Sequence, residues 1–303
     1  MKNLVIYHDH CTDGFAAAFS AWLTFGDENT EYLPLSYGQA DTVSALCNAP
    51  KSPIDENTEI YILDFSMPKE VMEFLFKNAK KVVWLDHHKT AFEMYDLPVG
   101  QFEEIVDNRH VELDNYRSGA MISWEYFRPN EEVPMFIKHI DDRDRWQFKI
   151  PGSKEFHAAI GSIKPWTFEQ WFTSLIRANY EDIYLEGSAI LRAQDTMVKS
   201  AAKKAQRCVI PVYDNLTPDS HIPAAGLALN STVFMSEIGH ELANASETYG
   251  LIYYIGANKK AKVSLRSNGE YDVSAIAKSF GGGGHRNAAG FEIDLDTLMG
   301  WLK

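Results

Sequence analysis

Asp86-His87-His88 places a carboxylate and two imidazoles directly after the apolar run Val82-Val83-Trp84-Leu85. That run reads as a buried strand, so the three donors stand where a strand gives way to a loop. In parallel α/β sheets this edge, at the carboxyl ends of the strands, is where ligands bind. Oxygen and imidazole donors together suit Mn, Fe, Zn or Co rather than Ca. Similar groups close other apolar runs. His8, Asp9, His10, Cys11 and Asp13 follow the first strand, Asp64 ends the third, and Asp141, Asp142 and Asp144 follow a later helix. In a parallel sheet the first three sets share one edge. Carboxylates crowded there need cations to offset their repulsion. Divalent ions would also bind phosphate oxygens and generate hydroxide from water near neutral pH.

Each piece has an ordinary alternative. Asp13-Gly14 alone reads as a loop with a helix cap, Asp64 alone as a cap for the helix near Pro68, and residues 141–146 as a solvated charged turn. Adjacent histidines at a strand end rarely serve packing, and the ordered set favours metal ligation. A second unusual segment is Gly281-Gly282-Gly283-Gly284-His285-Arg286-Asn287. Glycines admit close backbone approach and His-Arg-Asn supplies donors, which suggests a phosphate or sugar contact. Arg266, ending a hairpin strand, reads equally as a phosphate partner or a surface salt bridge. The separation of the two segments suggests a site closed by two domains.

The first half alternates strands (4–8, 32–37, 59–65, 81–85, 102–106) with helices (15–23, 68–79), the pattern of a parallel sheet with right-handed crossovers. Helices follow at 118–127 and 133–140, and 169–206 is mostly helical. Short strands at 207–213 and 225–229, a hairpin over 251–266 turning at 257–260, a helix at 273–280, a strand at 291–293 and a helix at 295–302 complete the chain. The expected fold is α/β: an N-terminal parallel-sheet domain with helices on both faces (1–188), a helical connector (189–206) and a smaller α+β C-terminal domain (207–303).

The 303 residues carry 29 basic and 42 acidic side chains, a net charge of −13. A long nucleic acid requires a basic track for its phosphates, and this surface would repel one. The three widely spaced cysteines, Cys11, Cys47 and Cys208, fit a reduced cytoplasm. No apolar stretch approaches the roughly 18 residues that span a membrane. The expected protein is cytoplasmic, with no membrane partner. Homodimerisation is an open expectation.

With these motifs in order, the chain resembles the DHH phosphoesterase family, in the group with a C-terminal DHH-associated domain. The naming motif is Asp86-His87-His88. Asp13-Gly14 resembles the end of the first motif, Asp64 the second and Asp142 the fourth, while Gly282-Gly283-Gly284-His285 resembles the glycine-histidine motif of the associated domain. The resemblance implies one or two Mn²⁺ ions, with other divalent metals admissible, and hydrolysis of phosphodiesters or phosphoanhydrides by a metal-bound hydroxide. By position, Asp13, Asp64, His87 and Asp142 would hold one metal, with Asp64 bridging to a second. His88 would contact phosphate or act as general acid, Asp86 would orient the adjacent histidine, and Arg266 and His285 would grip the substrate, beside Gly283, Gly284, Arg286 and Asn287. The first motif departs from the family. Cys11 stands where an Asp is expected, and His8 lies one residue closer than usual. Cys11 could ligate as a thiolate and favour a softer metal, or Asp9 or His10 could substitute. His8 is expected as a ligand.

The implied activity is hydrolysis of dinucleotides or short oligoribonucleotides to mononucleotides, with Trp146, Phe280 and Tyr271 able to stack a base. Alternatives are a phosphatase of 3′-phosphoadenosine 5′-phosphate, a cyclic-dinucleotide phosphodiesterase, or a nucleotide sensor without turnover. An exonuclease on long single-stranded DNA fits less well, because no basic track is present.

Overall fold

Apolar residues on successive positions of short runs can bury both faces of a strand, and that is how the N-terminal sheet is built. The computed structural model describes residues 2–36, 54–176, 179–211, 225–269 and 271–302. They divide into two units, Met1–Ile190 and Leu191–Lys303, with the division inside the helix Tyr180–Ala202.

The first unit holds a six-stranded sheet of order β2-β1-β3-β4-β6-β5. Its strands are β1 (Lys2–His8), β2 (Thr30–Leu35), β3 (Thr58–Leu63), β4 (Lys81–Asp86), β5 (Gln101–Val106) and β6 (Arg109–Asp114). All neighbours pair parallel except β5, which turns back antiparallel on β6. The period of two sends alternate residues to opposite faces. Val5, Tyr7, Tyr61, Leu63, Val83 and Leu85 pack under α1 (Thr12–Phe25), α4 (Gly119–Phe127) and α5 (Met135–Asp144). Leu4, Ile6, Ile60, Ile62, Val82 and Trp84 pack under α2 (Lys69–Asn78) and α3 (Lys89–Met94). The fold is thus α/β with helices on both faces.

Two local readings change. β6, with the sequence Arg-His-Val-Glu-Leu-Asp, goes unread in the sequence because only alternate positions are apolar; its partner β5 is the exposed edge. The segment 141–144 is the last turn of α5 rather than a loop after it. Of the expected strands, 32–37 and 207–213 end at positions outside the described residues, and Cys47 lies outside them too.

The second unit is a six-stranded sheet of order β11-β12-β10-β9-β8-β7. Its strands are β7 (Gln206–Cys208), β8 (Gly226–Asn230), β9 (Tyr249–Ile255), β10 (Lys260–Ser267), β11 (Gly283–His285) and β12 (Ala288–Asp294). A helix at Met235–Ser246 packs on one face through Ile238 and Leu242, and helices at Val273–Ser279 and Leu295–Trp301 pack on the other. Among the described residues no helix is long and apolar enough to cross a membrane.

Candidate metal centre

β1, β3 and β4 are neighbours in the sheet, so their carboxyl ends bring His8, Asp64 and Asp86-His87-His88 to one edge. Asp64 follows β3 with φ of 52°, in the left-handed region that a non-glycine residue adopts at a cost. Its carboxylate is 1% exposed. Oδ1 lies 3.1 Å from His87 Nε2 and 3.7 Å from His88 Nδ1, while Oδ2 lies 3.5 Å from His8 Nδ1. Neither oxygen takes a well-formed hydrogen bond. Burial alone would raise its pKa, but the imidazoles of His8 and His87 hold it below the usual carboxylate range.

Asp13 comes from the first turn of α1 and sits across from Asp64. Both its oxygens accept from the start of α4, from Gly119 N at 2.7 Å and Ala120 N at 2.9 Å. The carboxylate therefore caps a distant helix while facing His87 Nε2 at 3.6 Å. Asp144 reaches the same nitrogen at 3.6 Å. Burial, then Asp64 and Asp144, push the Asp13 pKa well above the carboxylate range; burial, then Asp64, raise that of Asp144. Burial would lower the His87 pKa, but Asp144, Asp64 and Asp13 together raise it well above the histidine range.

The expected ligand Asp142 is turned away. Its carboxylate accepts from Lys149 N (2.8 Å), Ile150 N (3.0 Å) and Ser153 Oγ (2.6 Å). Residues i and i+2 of a helix do not share a face, being about 200° apart around the axis. Only one of Asp142 and Asp144 can therefore look into the cluster, and it is Asp144.

Asp86 is fully buried at the end of β4. Its Oδ1 accepts from His87 N at 2.7 Å and lies 2.7 Å from His88 Nδ1, and its Oδ2 accepts from Ser66 Oγ. Asn115 Nδ2 donates to His87 O at 2.9 Å. Asp86 thus orients His88, not His87. Burial would lower the His88 pKa, but the adjacent Asp86 raises it. Asp9 accepts from His10 N, and the His10 side chain is exposed. The donor set beside Asp64 contains His8 and Cys11 instead.

Ser66, Asn115 and Gly119 carry no signal in the sequence, and Asp144, visible there as part of the 141–146 cluster, takes the place expected of Asp142. Gly119 has a steric reason: a Cβ there would lie 2.5 Å from Asp64 Cβ. Gly14 likewise admits α1 against the carbonyl of His8, 2.3 Å from where a Cβ would stand. Gly119→Ala is expected to lower activity at least about tenfold and stability by about 1–3 kcal/mol, because overpacking here displaces the carboxylate. Thermal melts beside steady-state rates check it, and a variant with wild-type rates would show that the close approach is dispensable.

The donors fit a divalent cation. A buried carboxylate without well-formed hydrogen bonds lies between imidazoles and raises the pKa of two further carboxylates, Asp13 and Asp144, a repulsion that a cation would relieve. Asp13, His87 and Asp144 form one converging donor set and His8, Cys11 and Asp64 another. Since Asp13 and His87 hold protons more tightly than usual, a cation must displace them. Metal affinity should rise with pH, by about tenfold per unit for each proton displaced. Titration calorimetry from about pH 6 to about pH 8 reads this, and a flat profile would mean the cluster is deprotonated before binding.

In the second unit, Arg266 donates to Ser264 Oγ, Leu265 O and Ser236 Oγ, each at 2.8 Å. Its stem lies against Gly239, where a Cβ would stand 2.7 Å from Arg266 Cγ. The glycine segment has packing reasons of its own. Gly281 has φ of 75°, and a Cβ at Gly282 or Gly284 would strike the backbone of β12 at 2.1 Å and 2.5 Å. Gly283 and His285 lie in β11. Arg286 Nε donates to Gly269 O at 3.2 Å, and Asn287 Oδ1 accepts from Ser267 Oγ at 3.2 Å. Trp146 is exposed, whereas Phe280 is partly buried and stacks on Phe291 against the core.

A DHHA1 domain profile matches residues 234–302. The chain is 31% identical over 302 residues to uncharacterized protein R106 of Acanthamoeba polyphaga mimivirus, covering 95% of this chain and 66% of that protein. The chain thus spans just under two-thirds of that relative's length. It is 22% identical over 298 residues to oligoribonuclease NrnB of Bacillus subtilis, covering 95% and 72% of the two chains. The crystal structure of RecJ in complex with Mn²⁺ from Thermus thermophilus shares the fold at TM-score 0.52 and 12% identity, over 99% of this chain and 50% of that one.

Proposed function

This chain belongs to the DHH phosphoesterase family and carries a C-terminal DHHA1 domain, and from that premise we propose that it hydrolyses very short RNA, dinucleotides or short oligoribonucleotides, to mononucleotides. Its family is one of metal-dependent phosphoesterases. The Asp64 carboxylate carries the reading, with Oδ1 turned to His87 and Oδ2 to His8, so that one buried group faces two donor sets. Asp13, His87, Asp144 and Asp64 would hold one cation, and Asp64 would bridge to a second on the His8 side. Bound there, divalent cations would offset the carboxylate charge, bind phosphate oxygens and lower the pKa of water.

The chain's own groups do the rest. An ionised Asp86 can only accept, so His88 Nδ1 carries the proton between them. Any proton that His88 exchanges with substrate therefore passes through Nε2. Its raised pKa favours the protonated form, suited to donate to a leaving oxygen or to bind phosphate. Asp86 in turn is fixed by Ser66 and by two backbone amides. Arg266 and the segment Gly283, Gly284, His285, Arg286 and Asn287 would bind substrate phosphate or sugar.

Short substrates are favoured by the net charge of −13, which opposes long polyanions, and by the activity for which the Bacillus relative is named. Purified protein with Mn²⁺ should cleave diribonucleotides faster than longer RNA, with His87→Ala at least about 10³-fold slower. Phosphate release from 3′-phosphoadenosine 5′-phosphate alone would point to the phosphatase reading, and nucleotide binding without any turnover to a sensor.

A further inference from the structure

We propose that Cys11 is a metal ligand, which together with His8 and Asp64 makes the second cation position a nitrogen, sulfur and oxygen site selective for a thiophilic metal. The proposal rests on the metal-centre reading above and adds to it the identity of one donor and the class of cation that it selects. Cys11 Sγ, a His8 ring nitrogen and an Asp64 oxygen all lie within 4.8 Å of one another. Independently, Asp64 is 1% exposed, and its oxygens take no well-formed hydrogen bond. That buried carboxylate, already flanked by imidazoles, forms with the Cys11 thiol and the His8 ring the geometry of a three-donor cation site.

The backbone supports the thiol as donor. Cys11 precedes the first residue of α1, a 14-residue helix, so the sulfur lies at a helix N-terminus, whose free amides favour an anion. Burial and the carboxylates of Asp64, Asp144 and Asp13 act the other way and hold the thiol protonated when no cation is present. The thiol proton leaves to solvent as the sulfur–metal bond forms, with no change in oxidation state. The other position, Asp13, His87 and Asp144, has only oxygen and nitrogen donors. The two positions therefore differ in softness, and thiolate donors select Zn²⁺ or Co²⁺ over Mn²⁺.

The test is Co²⁺ loading of the full-length, reduced protein, read by absorption. A near-ultraviolet sulfur-to-cobalt charge-transfer band is expected beside the visible d–d bands. It should vanish in Cys11→Ser and persist when Cys47 and Cys208 are both replaced by Ser. Cys11→Asp guards against misfolding: it should bind the metal without the band, with the Zn²⁺-to-Mn²⁺ affinity ratio lowered by about tenfold or more. Visible bands without the charge-transfer band in the wild-type protein would overturn thiolate ligation and leave the metal centre standing. So would a band that survives in Cys11→Ser, or an affinity ratio unchanged in Cys11→Asp. Absence of all cobalt bands would sink the metal centre itself, and this proposal with it.

Discussion

Asp64→Asn is expected to reduce hydrolysis by about 10³-fold or more and to lower the melting temperature of the metal-free protein. The rate term follows from the position of the carboxylate between both donor sets, since a cation's contribution of several kcal/mol to the barrier is lost with its shared ligand. The stability term follows from the surroundings. Asp64 is buried beside Asp13 and Asp144, whose pKa values it raises, and it returns no well-formed hydrogen bond. The imidazoles of His8, His87 and His88 outweigh that repulsion, since they hold the Asp64 carboxyl below its usual range, so neutralising it loses more attraction than repulsion, although Asn tolerates the left-handed conformation that Asp64 adopts. Steady-state rates with thermal melts of the metal-free protein check both terms. A melting temperature that rose in Asp64→Asn would mean that repulsion from Asp13 and Asp144 outweighs the imidazoles.

The second large effect separates two neighbours that look alike in sequence. Asp144→Ala should lower activity by about 10²- to 10³-fold with little loss of stability, because the removed carboxylate faces His87 and its pKa is raised by burial and Asp64. Asp142→Ala should instead destabilise the fold by about 3 kcal/mol. It strips acceptors from Lys149 N, Ile150 N and Ser153 Oγ in the turn that follows α5. That turn holds Trp146 and Phe148 at φ of 53° and 49°, conformations that bulky residues adopt only when held. Ser153 also lies 2.9 Å from His139 Nδ1, whose Nε2 lies 2.7 Å from Tyr184 OH, so the loss propagates through a buried chain of hydrogen bonds. Denaturant unfolding beside rates, for both variants, gives the contrast. If Asp142→Ala were the inactive but stable variant, the assignment of the two side chains would be reversed.

The sequence alone determined the elements whose signals are local. Runs such as Val82-Val83-Trp84-Leu85 bury both faces of a strand, and the donors that follow them must stand at strand ends, because the chain has no other place for them. It also determined that a carboxylate, an imidazole and a thiol cluster near residues 8–13, and that the surface is acidic. Tertiary structure decided which of these donors meet. The strand order places β1, β3 and β4 side by side, a choice made by crossover packing and not by any strand's own residues. Asp13 is buried because it caps α4, a helix more than a hundred residues later. Whether 141–144 ended a helix or began a loop depended on packing of Phe136, Ile137 and Ile140 into the core. That packing set the helical phase, and the phase turned Asp144 inward and Asp142 away. The glycines at 281–284 show the same limit. Their motif is visible in the chain, but the steric demands of β12 on Gly282 and Gly284 exist only once the strands are paired.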